Sequence, residues 1–313
     1  MSERSVALFA KGSSVRRSLI LPALLIGAFS GVITAAHADD SSPDGSTPPA
    51  GANDWDCRPS AAHPEPVVLV HGTWGNQNSW DVLAPQLKAQ GYCVFSLSYG
   101  RAASSIRGAE PGVYGTEDIR SSAREVGGFV DLVRAATGVP KVDIVAHSQG
   151  GPLVRQFLRF EGGANYRDPT QNKVDQLITI AATNHGTTAE GLGYLLPTGS
   201  AQAPVLDLVT QYLGTAALQQ LIDSEFLHSL NAGGDTEPGI RYTVIASHLD
   251  RVVTPPEATF LTAGLGATVD NIWVQDLCPD DDFNHGALPE SPTVGFVVQK
   301  ALDPSYTGLP CPG

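Results

Sequence analysis

Val142-Asp143-Ile144-Val145-Ala146-His147-Ser148-Gln149-Gly150-Gly151 is the stretch on which the fold turns. Its first five residues read as a buried strand, and residues 149–160 as a helix. Ala146-His147-Ser148-Gln149-Gly150 forms the sharp turn between them. A turn of this kind brings strand and helix backbones so close that the residues flanking the serine must be small. Ala146 stands where glycine is usual and adds one methyl. Pro152 falls in the first helical turn, where a missing N–H is harmless. The helix N-terminus directs partial positive charge at Ser148, where an oxyanion would form. A serine presented in this way is a candidate nucleophile.

Outward from the elbow, short apolar runs alternate with helical patterns. Strands are expected at Val67–Val70, Tyr92–Leu97, Val142–Ala146, Val174–Ala181, Tyr242–Ala246 and Asn271–Val274, and helices at 79–90, 117–136, 149–160 and 293–301. This alternation predicts an α/β fold, a mostly parallel sheet of about six strands with helices on both faces. Right-handed crossovers put every strand's C-terminal end on one edge, where open α/β sheets bind ligands. Residues 186–239 break the rhythm, because connections usually run to about 4–6 residues. This segment is apolar, with helices expected at 203–213 and 215–230. It reads either as a sheet-covering helix with loops or as a cap over an apolar pocket. As a cap, Leu195 and Leu196 would join Trp74 in contacting substrate.

A serine nucleophile needs a base, and the base needs an acid to hold its tautomer. In an elbow fold these follow in the order serine, acid, histidine, each after a later strand. Asp250 follows the strand Tyr242–Ala246, and His285 is the only histidine after Asp250. The alternatives are His185 as base and Glu257 or the run Asp280–Asp282 as acid. That run could also hold a calcium beside His285, since clustered carboxylates suit the ion. His147 is expected to pack, and His71 and His248 to make structural hydrogen bonds. The oxyanion donors are expected to be the N–H of Gln149 and that of Thr73 in His71-Gly72-Thr73-Trp74-Gly75, with Trp74 as the alternative. There is no dinucleotide, Walker or C-x-x-C motif, and the chemistry calls for no cofactor or metal.

The chain has 313 residues, with 19 Lys+Arg against 32 Asp+Glu and a net charge of -13. That balance argues against a nucleic-acid partner. Residues 1–38 have the layout of a secretory signal: Arg4, Lys11, Arg16 and Arg17, an apolar run, then Ala36-His37-Ala38, with cleavage expected after Ala38. Residues 39–54 read as a disordered lead-in to a catalytic domain at 55–313. Cys57, Cys93, Cys278 and Cys311 all fall in the exported part, an even count that suggests two disulfides with three possible pairings. Cys57 precedes one expected strand and Cys93 lies near the start of the next, which as parallel neighbours puts both at one sheet edge. This favours Cys57–Cys93 and leaves Cys278–Cys311. The oligomeric state is open, with a monomer as the default.

Val67–Gly75, Val142–Gly151, Thr183–Thr187 and Asp250–Pro255 together resemble the secreted bacterial class 2 triacylglycerol lipases, over roughly residues 55–311. The resemblance implies an α/β-hydrolase fold lacking the first two strands of the full sheet. It implies ester hydrolysis by Ser148, Asp250 and His285 with Thr73 and Gln149 at the oxyanion. The expected partner is a lipid or other ester, met transiently at a lipid interface. The same three residues would equally serve an acyltransferase or a hydrolase of polyester or cell-envelope lipid. A non-catalytic exported binding protein is the reading from another class, and the intact Ser, Asp and His in order speak against it.

Overall fold

Six parallel strands form one sheet in the computed structural model, which describes residues 42–191 and 202–311. They are β1 (Val67–Val70), β2 (Val94–Leu97), β3 (Val142–His147), β4 (Val174–Ile180), β5 (Arg241–Ala246) and β6 (Thr268–Trp273). Their order is β2-β1-β3-β4-β5-β6. The expected signal segment 1–38 and Leu195 and Leu196 lie outside the described residues. Every residue of β1 and β3 is buried. Strands covered on both faces read as continuous apolar runs for that reason.

Among the described residues the strands are accompanied by helices α1 (Leu83–Ala89), α2 (Ile119–Thr137), α3 (Gly150–Phe160), α4 (Gln202–Leu213), α5 (Thr215–Gln219), α6 (Glu225–Asn231) and α7 (Pro292–Leu302). Single helical turns lie at Ile106–Ala109 and Val274–Leu277. Alternate strand residues point to opposite faces. Val68, Val70, Ile144 and Leu177 therefore pack with α2, α3 and α6, while Val67, Leu69, Val145 and Ile178 pack with α1 and α7. Asp118 starts α2 by accepting from Arg120 N and Ser121 N, and Gly138 ends it in the left-handed conformation.

Three expected elements differ most from their expected bounds, and the strand expected from Tyr92 starts at Val94. The first helix starts at Leu83, because Gln77–Trp80 forms a tighter turn capped by the Asn76 side chain. The helix expected over 215–230 is two helices. Asp223 has φ +64° and Ser224 opens α6 by accepting from Leu227 N. The last strand runs Thr268–Trp273, and Val274 already belongs to a helical turn. As an edge strand it tolerates exposed Thr268 and Asp270, which hid its start from an apolar pattern.

Residues 42–54 also depart from the expected disordered lead-in. Asn53 N donates to Val94 O at 2.9 Å, and the Asn53 amide exchanges hydrogen bonds with Ser96 N and O at 2.8 and 2.9 Å. Gly45 O accepts from Gln77 Nε2 and Ser98 Oγ at 2.8 and 2.9 Å. The segment thus covers the open edge of β2 with backbone and amide bonds, a contact that apolar content does not reveal. The disulfides are Cys57–Cys93 and Cys278–Cys311, as the strand order implied. Among the described residues, no helix is long and apolar enough to cross a membrane.

Candidate active site

The candidate site is assembled at the carboxyl ends of the strands. Ser148 follows β3 with φ +53°, a conformation uncommon for a residue with a Cβ. Its amide donates to Ile180 O at 2.9 Å, which ties the elbow to β4. Two glycines let the loop after β1 lie against this turn. A Cβ on Gly72 would stand 2.9 Å from Ser148 Cβ and 3.1 Å from His147 Nδ1. One on Gly150 would stand 2.7 Å from Val70 O.

Asp250 lies in the turn after β5, where its Oδ1 accepts from Val252 N at 2.8 Å and Val253 N at 2.9 Å. His285 lies after β6. Its Nδ1 is 2.8 Å from Asp250 Oδ2 and its Nε2 is 3.0 Å from Ser148 Oγ. The carboxylate accepts, so Nδ1 carries the proton and Nε2 faces the serine hydroxyl as an acceptor. All three side chains are buried.

Two neutral histidines frame this row. His147 Nε2 donates to His285 O at 2.9 Å, and the two rings lie 4.9 Å apart. His71 Nδ1 donates to Gly72 O at 2.8 Å, its Nε2 accepts from Tyr99 N at 3.2 Å, and Tyr99 Oη donates to His71 O at 2.6 Å. Burial pushes His71 down to about 4. Burial, then the neighbouring His285, pushes His147 down to about 3. Both rings therefore stay uncharged at neutral pH and act as fixed hydrogen-bonding groups. His71 has the structural role expected of it. The sequence assigned His147 to packing alone and gave no sign that it holds the His285 backbone.

The other candidates have partners elsewhere. His185 Nε2 is 3.0 Å from Asp235 Oδ1, and its Nδ1 is 3.2 Å from Ala258 O. His248 stacks on Trp273 with ring centroids 3.9 Å apart. Glu257, Asp280 and Asp282 are exposed, while Asp281 is buried and accepts from Ser291 Oγ at the start of α7. Among the described residues, no three His, Cys, Asp or Glu side chains gather as an ion site, so the calcium expectation has no support.

Thr73 and Gln149 adjoin. Thr73 Oγ1 donates to Gln149 Oε1 at 2.7 Å. Gln220 enters from the 186–239 segment and donates from Nε2 to Thr73 Oγ1 at 2.8 Å. Thr187 Oγ1 donates to Val252 O at 2.6 Å and accepts from Thr254 N at 3.1 Å, which staples that segment to the Asp250 turn. Trp74 has φ +59°, donates from Nε1 to Leu213 O at 3.3 Å and lies under Arg107 at 5.5 Å. Gln220 was not singled out in the sequence. Its only signal is that Gln219-Gln220 interrupts an apolar run.

The sequence model of the family described as lipase (class 2) matches residues 64–288. Among solved structures, lipase B of Aspergillus fumigatus matches with a TM-score of 0.59 and 20% identity, over 84% of this chain and 56% of that one. The mature lipase BlEst2 of Bacillus licheniformis matches with a TM-score of 0.54 and 18% identity, over 78% of this chain and 94% of that one. The chain thus spans a little over half of the fungal protein and most of the bacterial one. At these identities the likeness is one of fold, the α/β-hydrolase sheet.

Proposed function

The chain belongs to the class 2 lipase family, and on that premise we propose that it is a secreted serine carboxylic-ester hydrolase, a triacylglycerol lipase or esterase. The observation that carries the reading is His285 set between Ser148 Oγ at 3.0 Å and Asp250 Oδ2 at 2.8 Å. His285 Nε2 takes the Ser148 proton as Oγ attacks the ester carbonyl, and Asp250 stabilises the imidazolium that forms. The backbone N–H groups of Thr73 and Gln149 hold the oxyanion, each worth about 10²–10³ in rate. His285 then protonates the leaving alcohol. A water activated by the same histidine releases the acid and frees Ser148.

Export is supported by the basic, apolar and small-residue layout of residues 1–38 and by two disulfides, which persist in oxidising compartments. A lipid interface is supported by α4, which carries Val205, Leu206, Leu208 and Val209 yet buries none of its residues. Leu208 is 51% exposed, and Ile106, on the turn that packs beside α4, is 57% exposed. An exposed apolar face of this kind suits a substrate presented at a lipid surface.

The test is hydrolysis of p-nitrophenyl esters of increasing chain length and of emulsified triacylglycerol, for the wild type and Ser148→Ala. Turnover of long chains and emulsion, lost in the variant together with labelling by an organophosphonate, is the expected result. Activity confined to short esters makes the protein a soluble esterase. Product transferred to an added alcohol in preference to water makes it an acyltransferase. No Ser148-dependent turnover of any ester overturns the reading.

A further inference from the structure

Gln220 is where the base of the 186–239 segment reaches the candidate site. It follows α5, is 6% exposed, and its amide joins three parts of the chain. Gln220 Oε1 accepts from Thr183 Oγ1, on the turn after β4, at 2.9 Å. The Gln220 backbone carbonyl accepts from Thr187 N at 2.9 Å. Nε2 faces Ala216 O at 3.1 Å, Thr73 Oγ1 at 2.8 Å and Gln149 Oε1 at 3.2 Å. Two of these neighbours are carbonyl oxygens, which only accept, so the amide cannot be turned the other way without losing bonds. Thr73 passes its own hydroxyl hydrogen to Gln149 Oε1 at 2.7 Å. The three side chains close a ring of hydrogen bonds. Two of them belong to the residues whose backbone N–H groups the reaction would aim at the oxyanion.

The neighbouring Gln219 is equally embedded: its Oε1 accepts from Ile119 N and its Nε2 donates to Asp118 Oδ2, both at 2.7 Å, at the start of α2. The outer helix α4 buries none of its residues. The described part of the segment is therefore divided into a fastened base and an outer helix that is at most half-buried.

We propose that Gln220 is a positioning residue for the oxyanion donors, fixing the spacing of Thr73 and Gln149 through their side chains. The proposal rests on Ser148-dependent ester hydrolysis. Its physical basis is that donors stabilise a developing charge only when already in place, and a displacement of about 1 Å can cost about 10²-fold in rate. Without the Gln220 amide, only the bond between Thr73 and Gln149 side chains remains of the ring. The oxyanion forms only during the reaction, so the effect falls on kcat.

The experiment measures kcat and KM on p-nitrophenyl butyrate, affinity for an alkyl boronic acid and the Tm, for the wild type, Ser148→Ala, Gln220→Leu, Thr73→Val and the Thr73→Val/Gln220→Leu double variant. The boronate adduct of Ser148 puts an oxygen where the oxyanion forms. In Gln220→Leu, kcat and boronate affinity should fall together by about 10-fold with KM held within about twofold. On the Thr73→Val background the same substitution should cost under about threefold, because its main partner is already gone. Unchanged kcat in a folded Gln220→Leu, or full additivity in the double variant, overturns the proposal. Should Gln220→Leu fail to fold, Thr183→Val releases Oε1 and should lower kcat in the same direction; full kcat there overturns it too. If the wild type shows no Ser148-dependent turnover, the hydrolase reading falls and takes this role with it. An active wild type beside a fully active Gln220→Leu removes the positioning role alone.

Discussion

Asp143 and His147 stand at opposite ends of β3, both buried and both ionisable. Burial acts on each in the opposite direction, since it disfavours whichever form is charged. Asp143 is pushed up to about 8 by burial and then by Asp175 and Glu65. His147 is pushed down to about 3 by burial and then by His285. What separates the two ends is what the neutral group does there. At the amino edge Asp143 lies in register with Gln176 of β4, and Arg241 and the Gln176 side chain offset its burial in part. At the carboxyl edge His147 holds the His285 backbone, and His71 uses both ring nitrogens to hold the loop that carries Thr73. The neutral histidines at one edge tie loops together, while the neutral Asp143 at the other meets the neighbouring strand. Changes at the carboxyl edge should therefore be read in turnover, and changes at the amino edge in stability.

Gly72→Ala is the severest challenge to that contrast. The added methyl would meet Ser148 Cβ at 2.9 Å and His147 Nδ1 at 3.1 Å, so the loop must retreat from the elbow with Thr73. Ester kcat/KM should fall by about 10²–10³, the loss typical of one missing oxyanion donor. Activity within about tenfold of wild type would show that this edge is not the intolerant one.

His147→Phe keeps a ring in place and removes the donor to His285 O. A drop of about 10-fold in kcat is expected, with smaller change in KM. Stability supplies a second readout. His147 is neutral when folded, whereas an unfolded histidine takes up a proton below about 6.5. The unfolded state then binds more protons, so stability falls as pH drops from about 6.5 toward about 3. The variant lacks this contribution, so its urea midpoint should gain on the wild type between pH 7 and pH 5. A constant gap between the two curves would mean that His147 is not held neutral.

The elbow and its partners were legible in the sequence because sterics and strand order constrain them. Gly72, Gly150 and Ala146 had to be small for three backbones to meet, and Asp250 and His285 had to follow strands to share an edge. The disulfides were legible through parallel register, since Val67 pairs with Val94 directly beside Cys93. Other contacts left no such trace. Gln220 meets Thr73 and Gln149 from far along the chain, and nothing in an amide's neighbours announces a distant acceptor. Apolar content left the 186–239 segment readable either as core or as cap, and α4 keeps Leu208 exposed with Val205, Leu206 and Val209 half-buried. Composition called residues 39–54 disordered because it weighs burial, while Asn53 is fastened to β2 by backbone and amide bonds.

Asp143→Asn should have the smallest effect on turnover, and it tests the other half of the contrast. The substitution keeps the shape of the side chain and removes its titration. In the folded protein Asp143 keeps its proton up to about 8, while in the unfolded chain an aspartate releases it near 3.9. Between these values the unfolded state binds fewer protons, so this group makes stability fall as pH rises from about 4 to about 8. Asp175 and Glu65 work in the same sense by repulsion, and Arg241 opposes them. An asparagine at this position has no proton to lose, so the variant should gain on the wild type steadily from pH 5 to pH 8, by about 1 kcal/mol for each pH unit in urea unfolding. Its kcat and KM for a short ester should match wild type throughout, because nothing at this edge touches the Ser148 turn. A loss of kcat in Asp143→Asn would mean that the two ends of β3 are coupled, and that the division between a working edge and a structural one does not hold.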